Sequence, residues 1–175
     1  MPKHRINDPL DILGVAYETM LERSASEFRK LEKKTGPALH SLIDSAKEKA
    51  IELEELTEEE AAHLAEYLKR DLSDAAFYIS ESGRELKDWL GFEDSLLAAE
   101  LLDTFLQAAD PTTVEMNELK LELAAYSIYK TGEVTGPGAL VCDECGEVLH
   151  FHKAGRIPPC PKCHKTVYHR QGSKN

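Results

Sequence analysis

The chain has 175 residues, a formal net charge of −11 and 42% hydrophobic residues. This length is enough for one ordinary domain or two small ones with a packed core. No run of eighteen apolar residues is present, which excludes an ordinary transmembrane helix, and the first residues are not followed by the apolar stretch of a secretory signal. We therefore expect a cytoplasmic protein.

The charge is divided unevenly along the chain. Residues 138–175 contain six basic and three acidic residues, whereas residues 1–137 contain fifteen basic and twenty-nine acidic residues. An acidic surface keeps a protein soluble and repels a phosphate backbone. Any contact with nucleic acid is therefore expected from the C-terminal part of the chain.

Residues 9 to about 130 carry the pattern of helices. Asp8 is an N-cap, and Pro9 follows it at the first helical position. Apolar residues spaced three and four apart predict a first amphipathic helix that ends at Gly36 and a second that starts at Pro37. The predicted stripes are Leu10, Leu13, Tyr17, Met20, Ser24, Phe28 and Leu31 in the first helix, and Leu39, Leu42, Ala46, Lys49, Leu53 and Leu56 in the second.

A third helix is predicted to begin at a capping box formed by Thr57 and Glu60. Its apolar stripe runs to about Leu90 and consists of Ala61, Leu64, Leu68, Leu72, Ala75, Ile79, Leu86 and Leu90. Asp71 and Asp74, near its middle, are expected on the solvent-exposed side, where most helical carboxylates lie.

A fourth helix is predicted over residues 95–108 and a fifth over residues 112–129. The leucines at 119, 121 and 123 alternate, so a strand is the competing prediction there. No heptad repeat is sustained along the helices, and both an intramolecular bundle and an antiparallel coiled coil remain open. We expect an acidic helical hairpin or bundle that offers a surface to a partner protein or to a second copy.

Residues 131–138 contain three glycines and one proline in eight positions. This composition disfavours regular structure. We therefore predict an acidic α-helical region at 1–131, a linker at 132–138 and a small β domain at 139–175. The two domains are expected to fold separately.

The only four cysteines of the chain form two Cys-x-x-Cys pairs separated by fourteen residues. Such paired spacing is typical of zinc sites, and four thiolates complete a tetrahedral shell without an open position. A reducing compartment also favours metal binding over disulfides. The sequence therefore predicts one structural Zn²⁺ bound by Cys142, Cys145, Cys160 and Cys163.

The residues around these cysteines predict a zinc ribbon. Short strands are expected at Leu140–Val141, Val148–His152 and Thr166–His169, and a domain this small needs metal to fold. Gly146 and His164 follow the two knuckles at matching positions, where a positive φ is often required. The fold class is thus mainly α, an acidic helical hairpin or bundle followed by a small all-β zinc ribbon.

Other functional roles for the ribbon residues have weaker support. Its four histidines are expected on the surface, because thiolates already fill the metal shell; they are His150, His152, His164 and His169. Asp143 and Glu144 resemble the metal-binding pair of ribbons that assist RNA cleavage, but they lie inside a knuckle rather than at a hairpin tip. No catalytic constellation is present elsewhere, and we expect no enzyme activity.

Aromatic and basic residues suggest contact with single-stranded nucleic acid as an alternative role. The aromatic candidates are Phe151 and Tyr168, and the basic candidates are Lys153, Arg156, Lys162, Lys165 and Arg170. Phe151 shares a strand face with Leu149, however, which favours core packing for its ring.

The tail motifs resemble those of a bacterial family of zinc-ribbon-containing proteins with an acidic helical N-terminal region, catalogued as a domain of unknown function. The resemblance rests on Thr131–Gly146, on Leu149–Phe151 and on Gly155–Cys163, and it extends to Asp110–Thr112. It implies a cytoplasmic bacterial protein with a rubredoxin-like ribbon. It also implies zinc ligation by the four cysteines, and no activity.

The sequence favours a non-enzymatic protein-interaction adaptor. In this interpretation the acidic helices dock to a partner protein or self-associate, and the zinc-stabilised ribbon contacts the partner. The alternative is a regulator that binds nucleic acid or the transcription machinery through the ribbon. A binder of nucleic acid would lose affinity steeply with salt.

Overall fold

The computed structural model describes residues 9–32, 36–82 and 128–170. These residues form three helices followed by six short strands. The helices are α1 (Pro9–Arg29), α2 (Gly36–Glu52) and α3 (Glu58–Ser82). The strands are β1 (Tyr129–Lys130), β2 (Val134–Thr135), β3 (Gly138–Cys142), β4 (Val148–Phe151), β5 (Gly155–Arg156) and β6 (Val167–Arg170).

The three helices pack around one apolar core as an intramolecular bundle. The predicted stripe of α1 is buried at Tyr17, Met20, Ser24 and Phe28, and that of α3 is buried at every predicted position from 61 to 72. Ser24 is accommodated because its hydroxyl donates to the Met20 carbonyl within the helix. The buried residues of α3 in this core are Ala61, Leu64, Ala65, Leu68 and Leu72.

The buried face of α2 differs from the prediction. Ile43 and Ala50 are buried in place of Lys49 and Leu53, both of which are exposed. The observed spacing from Leu39 through residues 43, 46 and 50 stays on one side of a helix, whereas the predicted stripe drifts around it. Leu53 also lies beyond the end of α2.

Two local signals in the helical sequence are confirmed. α1 begins at Pro9, where the missing amide hydrogen costs no helical hydrogen bond. The Thr57 amide donates to Glu60 Oε2 at 3.0 Å, and the Glu60 amide donates to Thr57 Oγ1 at 3.2 Å. This reciprocal capping box opens α3.

The strands form a four-stranded antiparallel sheet with the order β1-β6-β3-β4 and a separate pair, β2 and β5. β3 is the central strand, and it places Cys142 opposite Tyr168 of β6. The three strands predicted for the ribbon are confirmed.

The segment predicted to be a linker does have regular structure. β2 pairs with β5, and residues 134–138 are all buried. Val134 joins the apolar core of the helices. Gly136 is needed for close packing rather than for flexibility, because a Cβ there would lie 2.7 Å from the Tyr17 hydroxyl. How far the helices and the ribbon fold separately stays a prediction.

Part of the predicted helical region lies outside the described residues. This applies to the third helix beyond 82, to the fourth helix, to nearly all of the fifth and to the choice of helix or strand at 119–123. The fifth helix does not extend to Tyr129 as predicted, because Tyr129 pairs with Tyr168 in the sheet. Within the described ranges, no helix is both long and apolar enough to cross a membrane.

Candidate metal centre

The four cysteines come together at the end of the sheet where β3 meets the second knuckle. Their sulfur atoms all lie within 4.8 Å of one another. Cys142 Sγ is 3.5 Å from Cys163 Sγ, and Cys145 Sγ is 3.6 Å from Cys160 Sγ. Because Zn–S bonds of about 2.3 Å place tetrahedral sulfurs about 3.8 Å apart, the cluster fits one Zn²⁺.

The two knuckles repeat the same backbone hydrogen bonds. In the first, the Cys142 carbonyl accepts from the Gly146 amide at 3.0 Å, and in the second the Cys160 carbonyl accepts from the His164 amide at 2.9 Å. Both donor residues have positive φ, 76° at Gly146 and 63° at His164. The predicted conformation of these two positions is therefore confirmed. It turns the backbone of each knuckle so that both of its thiols face the other knuckle.

The local environment shifts the pKa values of Cys160 and Cys163 in opposite directions. Burial raises the pKa of Cys160, but hydrogen bonds from the Cys163 and Lys162 amides outweigh it and lower that pKa to about 7. A hydrogen bond from the Lys165 amide lowers the pKa of Cys163, but burial and the neighbouring thiols outweigh this effect and raise the pKa to about 12. A bound Zn²⁺ would favour the thiolate form of all four cysteines, since the thiolate is the ligand.

An apolar cluster supports the sulfur shell from the inner side of the sheet. Tyr129, Leu140, Ile157 and Tyr168 are buried there with Cys142 and Cys160, and Leu149 and Phe151 pack against them. The Tyr168 hydroxyl donates to the Pro158 carbonyl at 2.8 Å, which satisfies its polar end. The four thiols use every ligand position of a tetrahedral ion, so the centre is suited to structure rather than to binding a substrate.

The histidines of the described ribbon lie outside the sulfur cluster, as expected. His150, His152 and His164 are exposed. His169 is partly buried, and its Nδ1 lies 2.5 Å from Asp143 Oδ1. Asp143 and Glu144 are exposed residues of the first knuckle, and the contact with His169 connects this knuckle to β6.

The predicted set for single-strand binding is divided by the fold. Tyr168 and Arg170 are fully buried, so neither can stack on a base or contact a phosphate in this conformation. Phe151 packs against the ribbon core, as its shared face with Leu149 indicated. The four exposed basic candidates are Lys153, Arg156, Lys162 and Lys165.

Asp71 and Asp74 were predicted on the helix surface, and this prediction is wrong. Both are completely buried, and the part of α3 that contains Asp71 packs against β2. Asp71 accepts hydrogen bonds from the Tyr17 hydroxyl at 2.5 Å and from the Gly136 amide at 2.7 Å. Asp74 accepts one from the Tyr129 hydroxyl at 2.9 Å. Both carboxylate oxygens of Asp71 thus accept hydrogen bonds, whereas Asp74 Oδ1 is buried without a hydrogen-bond partner among the described residues.

Two buried arginines complete this group of polar residues. Arg70 donates from Nε to Asp71 at 3.0 Å, from Nη1 to Glu133 at 2.8 Å and from Nη2 to the Val134 carbonyl at 3.1 Å. Its guanidinium also lies 3.9 Å from the centre of the Tyr129 ring. We refer to these residues as the ribbon–helix network, which consists of Tyr17, Arg70, Asp71, Asp74, Tyr129, Glu133, Thr135 and Arg170.

The sequence did contain one sign of this network. Asp71 lies three residues after Leu68 and seven after Leu64, so it continues the apolar stripe of α3. A carboxylate on the apolar side of a helix indicates either that the apolar stripe is interrupted or that the charge is buried and compensated by partners. Arg70 is the neighbouring residue, but the other partners of Asp71, namely Tyr17, Thr135 and Gly136, lie more than fifty residues away along the chain.

The comparisons with known proteins agree with the presence of a zinc ribbon. A family model described as "Zinc-ribbon containing domain" matches residues 26–172. "Uncharacterized protein YbeL" of Escherichia coli K12 is 31% identical over 137 residues, which cover 76% of this chain and 82% of that protein. The YbeL proteins of strains O6:H1 and O157:H7 match to the same extent, and no solved structure matches the chain. The chain therefore belongs to the bacterial family of zinc-ribbon containing proteins of unknown function.

Proposed function

We propose that this protein is a non-enzymatic adaptor that binds a partner protein through its helices and keeps its shape through one structural zinc ion. The observation that carries this proposal is an exposed apolar pair on α1. Ile12 is 51% exposed and Val15 is 62% exposed. They lie three residues apart and therefore on the same side of the helix.

This apolar pair leads into a groove between α1 and α2. Val15 is followed on the same side of α1 by Thr19 and Glu22, and both of these line the groove. The groove has a volume of about 580 Å³. Its other lining residues are Arg23, Ser26 and Glu27 of α1, and Leu42, Ser45, Ala46 and Lys49 of α2.

The form of this surface and the net charge of the whole chain favour one class of partner. An amphipathic helix docks by placing apolar side chains on an exposed apolar face beside a groove. The net charge of −11 favours a partner helix with basic residues, which the acidic chain would attract over a distance. We therefore take a basic amphipathic helix of another protein as the partner, and we place the complex in the cytoplasm, where zinc-binding thiols stay reduced.

The alternative function is binding of nucleic acid or of the transcription machinery through the ribbon. Exposed basic side chains near the second knuckle support it, among them Lys162 and Lys165. The burial of Tyr168 and Arg170 weakens it, because few phosphate contacts and no second stacking ring remain. We therefore rank it below the adaptor.

Affinity purification of the tagged, zinc-loaded chain from its own cells, with and without nuclease, tests the two functions together. The informative variant is the double change Ile12→Glu and Val15→Glu, which leaves the core untouched. Leu53→Glu is the matched control, since Leu53 is 49% exposed but lies after α2. Circular dichroism and metal content show that each variant is folded.

We expect wild type and Leu53→Glu to retain one protein in stoichiometric amount despite nuclease, and the double variant to lose it. The retained protein is then purified, and its affinity is measured for the wild type, the double variant and Leu53→Glu. We expect a basic helical segment of the retained protein to be sufficient for binding. Equal binding by the double variant would contradict the proposal. Retention that disappears with nuclease, with steep loss of affinity in salt, would favour the alternative. Light scattering of the full chain separates partner binding from self-association.

A further inference from the structure

Arg170 lies at the end of β6 and is fully buried against residues of the predicted linker. Its Nη2 donates to Thr135 Oγ1 at 2.6 Å, and its Nη1 donates to the Pro137 carbonyl at 3.3 Å. The guanidinium lies 3.7 Å from Asp71 Oδ1. One side chain of the ribbon therefore supplies positive charge to a buried carboxylate of α3.

The position of Arg170 depends on the metal centre. β6 follows the second knuckle directly and pairs with β3, so that Cys142 lies opposite Tyr168. The Asp143 amide, between the first two cysteines, donates to the Val167 carbonyl at 3.1 Å. Without metal, a β domain of about forty residues cannot normally support its own fold. Loss of zinc would therefore remove the backbone that holds Arg170 in place.

The helices in turn depend on the ribbon for charge compensation. Asp71 accepts hydrogen bonds from the Gly136 amide and, at 3.3 Å, from the Thr135 hydroxyl, both in the segment that leads into the ribbon. It also forms an ion pair with Arg170 of the ribbon. Arg70 loses its partners Glu133 and Val134 if β2 moves away. Removing one partner of a buried charge is strongly destabilising because the other is left uncompensated. The helical core would also lose Val134 and Ala154.

We infer that the ribbon–helix network makes the packing of α1 and α3 depend on zinc in the ribbon. The zinc centre would then stabilise the whole described fold, and metal removal would loosen helices that contain no metal ligand. This link holds whether or not the chain binds the partner proposed above. It is the opposite of the expectation from sequence that the two domains fold separately.

Hydrogen exchange with mass spectrometry on the full chain tests the inference. The zinc-loaded protein is compared with the same protein after chelation under reducing conditions. We expect amides of α1 and of residues 64–74 to exchange at least tenfold faster without zinc. Exchange changed by less than twofold in these helices, with the ribbon itself unfolded, would overturn the inference. This comparison uses the natural sequence, so it does not depend on any variant folding.

Arg170→Met then tests whether Arg170 carries the link. This variant keeps the four ligands and most of the side-chain volume, and we expect it to hold one zinc while residues 64–74 exchange at least fivefold faster. Lys165→Met is the control for losing a basic residue of the ribbon, and it should exchange as the natural chain does. Native exchange in Arg170→Met with zinc bound would show that Arg170 does not couple the two parts.

Discussion

Asp74 shows at the scale of one residue how burial changes an ionisable group. Burial raises its pKa from 3.8 to about 6, against the opposing effects of Arg170 and of the hydrogen bond from Tyr129. Asp71, Arg70 and Tyr129 are the other charged or titratable groups around it. Between about pH 4 and pH 6 the folded chain thus binds more protons than the unfolded chain at this site. The contribution of Asp74 to the free energy of unfolding falls as pH rises through that window.

The change Asp74→Asn should remove this pH dependence. The asparagine side-chain oxygen can still accept the hydrogen bond from Tyr129, so the fold should persist. Relative to this variant, the natural chain should lose up to about 3 kcal/mol of unfolding free energy as pH rises from 4 to 7, at about 1.4 kcal/mol per pKa unit. Urea unfolding of zinc-loaded protein across this range measures the difference. Asp44→Asn, at a half-exposed carboxylate, is the control, and identical profiles for Asp74→Asn and the natural chain would contradict the prediction.

His164 tests the backbone of the second knuckle. Its φ of 63° is unfavourable for most residues but not for glycine. We expect His164→Gly to keep or raise the unfolding free energy by up to about 1 kcal/mol, and His164→Val to lower it by about 1–3 kcal/mol. Zinc competition and thermal unfolding measure both. His150 lies in a strand, so the valine variant should be more stable there than the glycine variant. If glycine were the more stable replacement at both sites, the effect at His164 would not come from its backbone conformation.

At the scale of elements, the contact between α1 and the ribbon is made by backbone. A Cβ on Gly14 would lie 2.5 Å from the carbonyl oxygen of Ala154, and the Ala154 amide donates to Glu18 at 3.2 Å. The helix therefore approaches the β4–β5 connection too closely for any side chain at position 14. This contact and the ribbon–helix network hold the ribbon on two of the three helices.

Gly14→Ala should therefore destabilise the chain, although alanine normally stabilises a helix by about 1 kcal/mol relative to glycine. We expect a loss of about 1–3 kcal/mol, because the helix or the ribbon backbone must move to relieve the overlap. Urea unfolding of the zinc-loaded protein measures it. Val15→Ala, at the next and exposed position, should change stability little. A gain in stability from Gly14→Ala would show that α1 does not approach the ribbon so closely.

At the scale of the whole molecule, the metal content is the first quantity to measure. Each chain should bind one zinc ion with four masked thiols, because the four sulfurs converge and no fifth cysteine exists. Cys160→Ser should lose most of the zinc, and His150→Ala should retain it. Metal analysis and thiol titration of reduced protein give both numbers. An ordered ribbon without metal would contradict the assignment.

The sequence alone was sufficient wherever the deciding interactions are local. The knuckles and the capping box at Thr57 each span only a few residues, and α1 begins at Pro9 as predicted, whereas the N-cap predicted at Asp8 lies outside the described residues. The residue types at these positions limit the backbone directly, and the paired spacing of four cysteines leaves a tetrahedral metal as the simplest common partner. The metal ligands and three of the strands, β3, β4 and β6, were therefore predictable without any knowledge of the remaining fold, whereas β1, β2 and β5 were not predicted.

Only the tertiary structure decided which charges are buried and what the glycine-rich segment does. Asp71 and its donor Gly136 are 65 residues apart. Arg70 is adjacent in α3, but nothing else within one turn of that helix indicates that a main-chain amide, a tyrosine and a second arginine lie beside the carboxylate. The same applies to residues 131–138, whose composition is that of a linker although residues 134–138 are buried and β2 pairs with β5. Burial of a charge is favourable only when its partners are present, and these partners are brought together by packing rather than by sequence proximity.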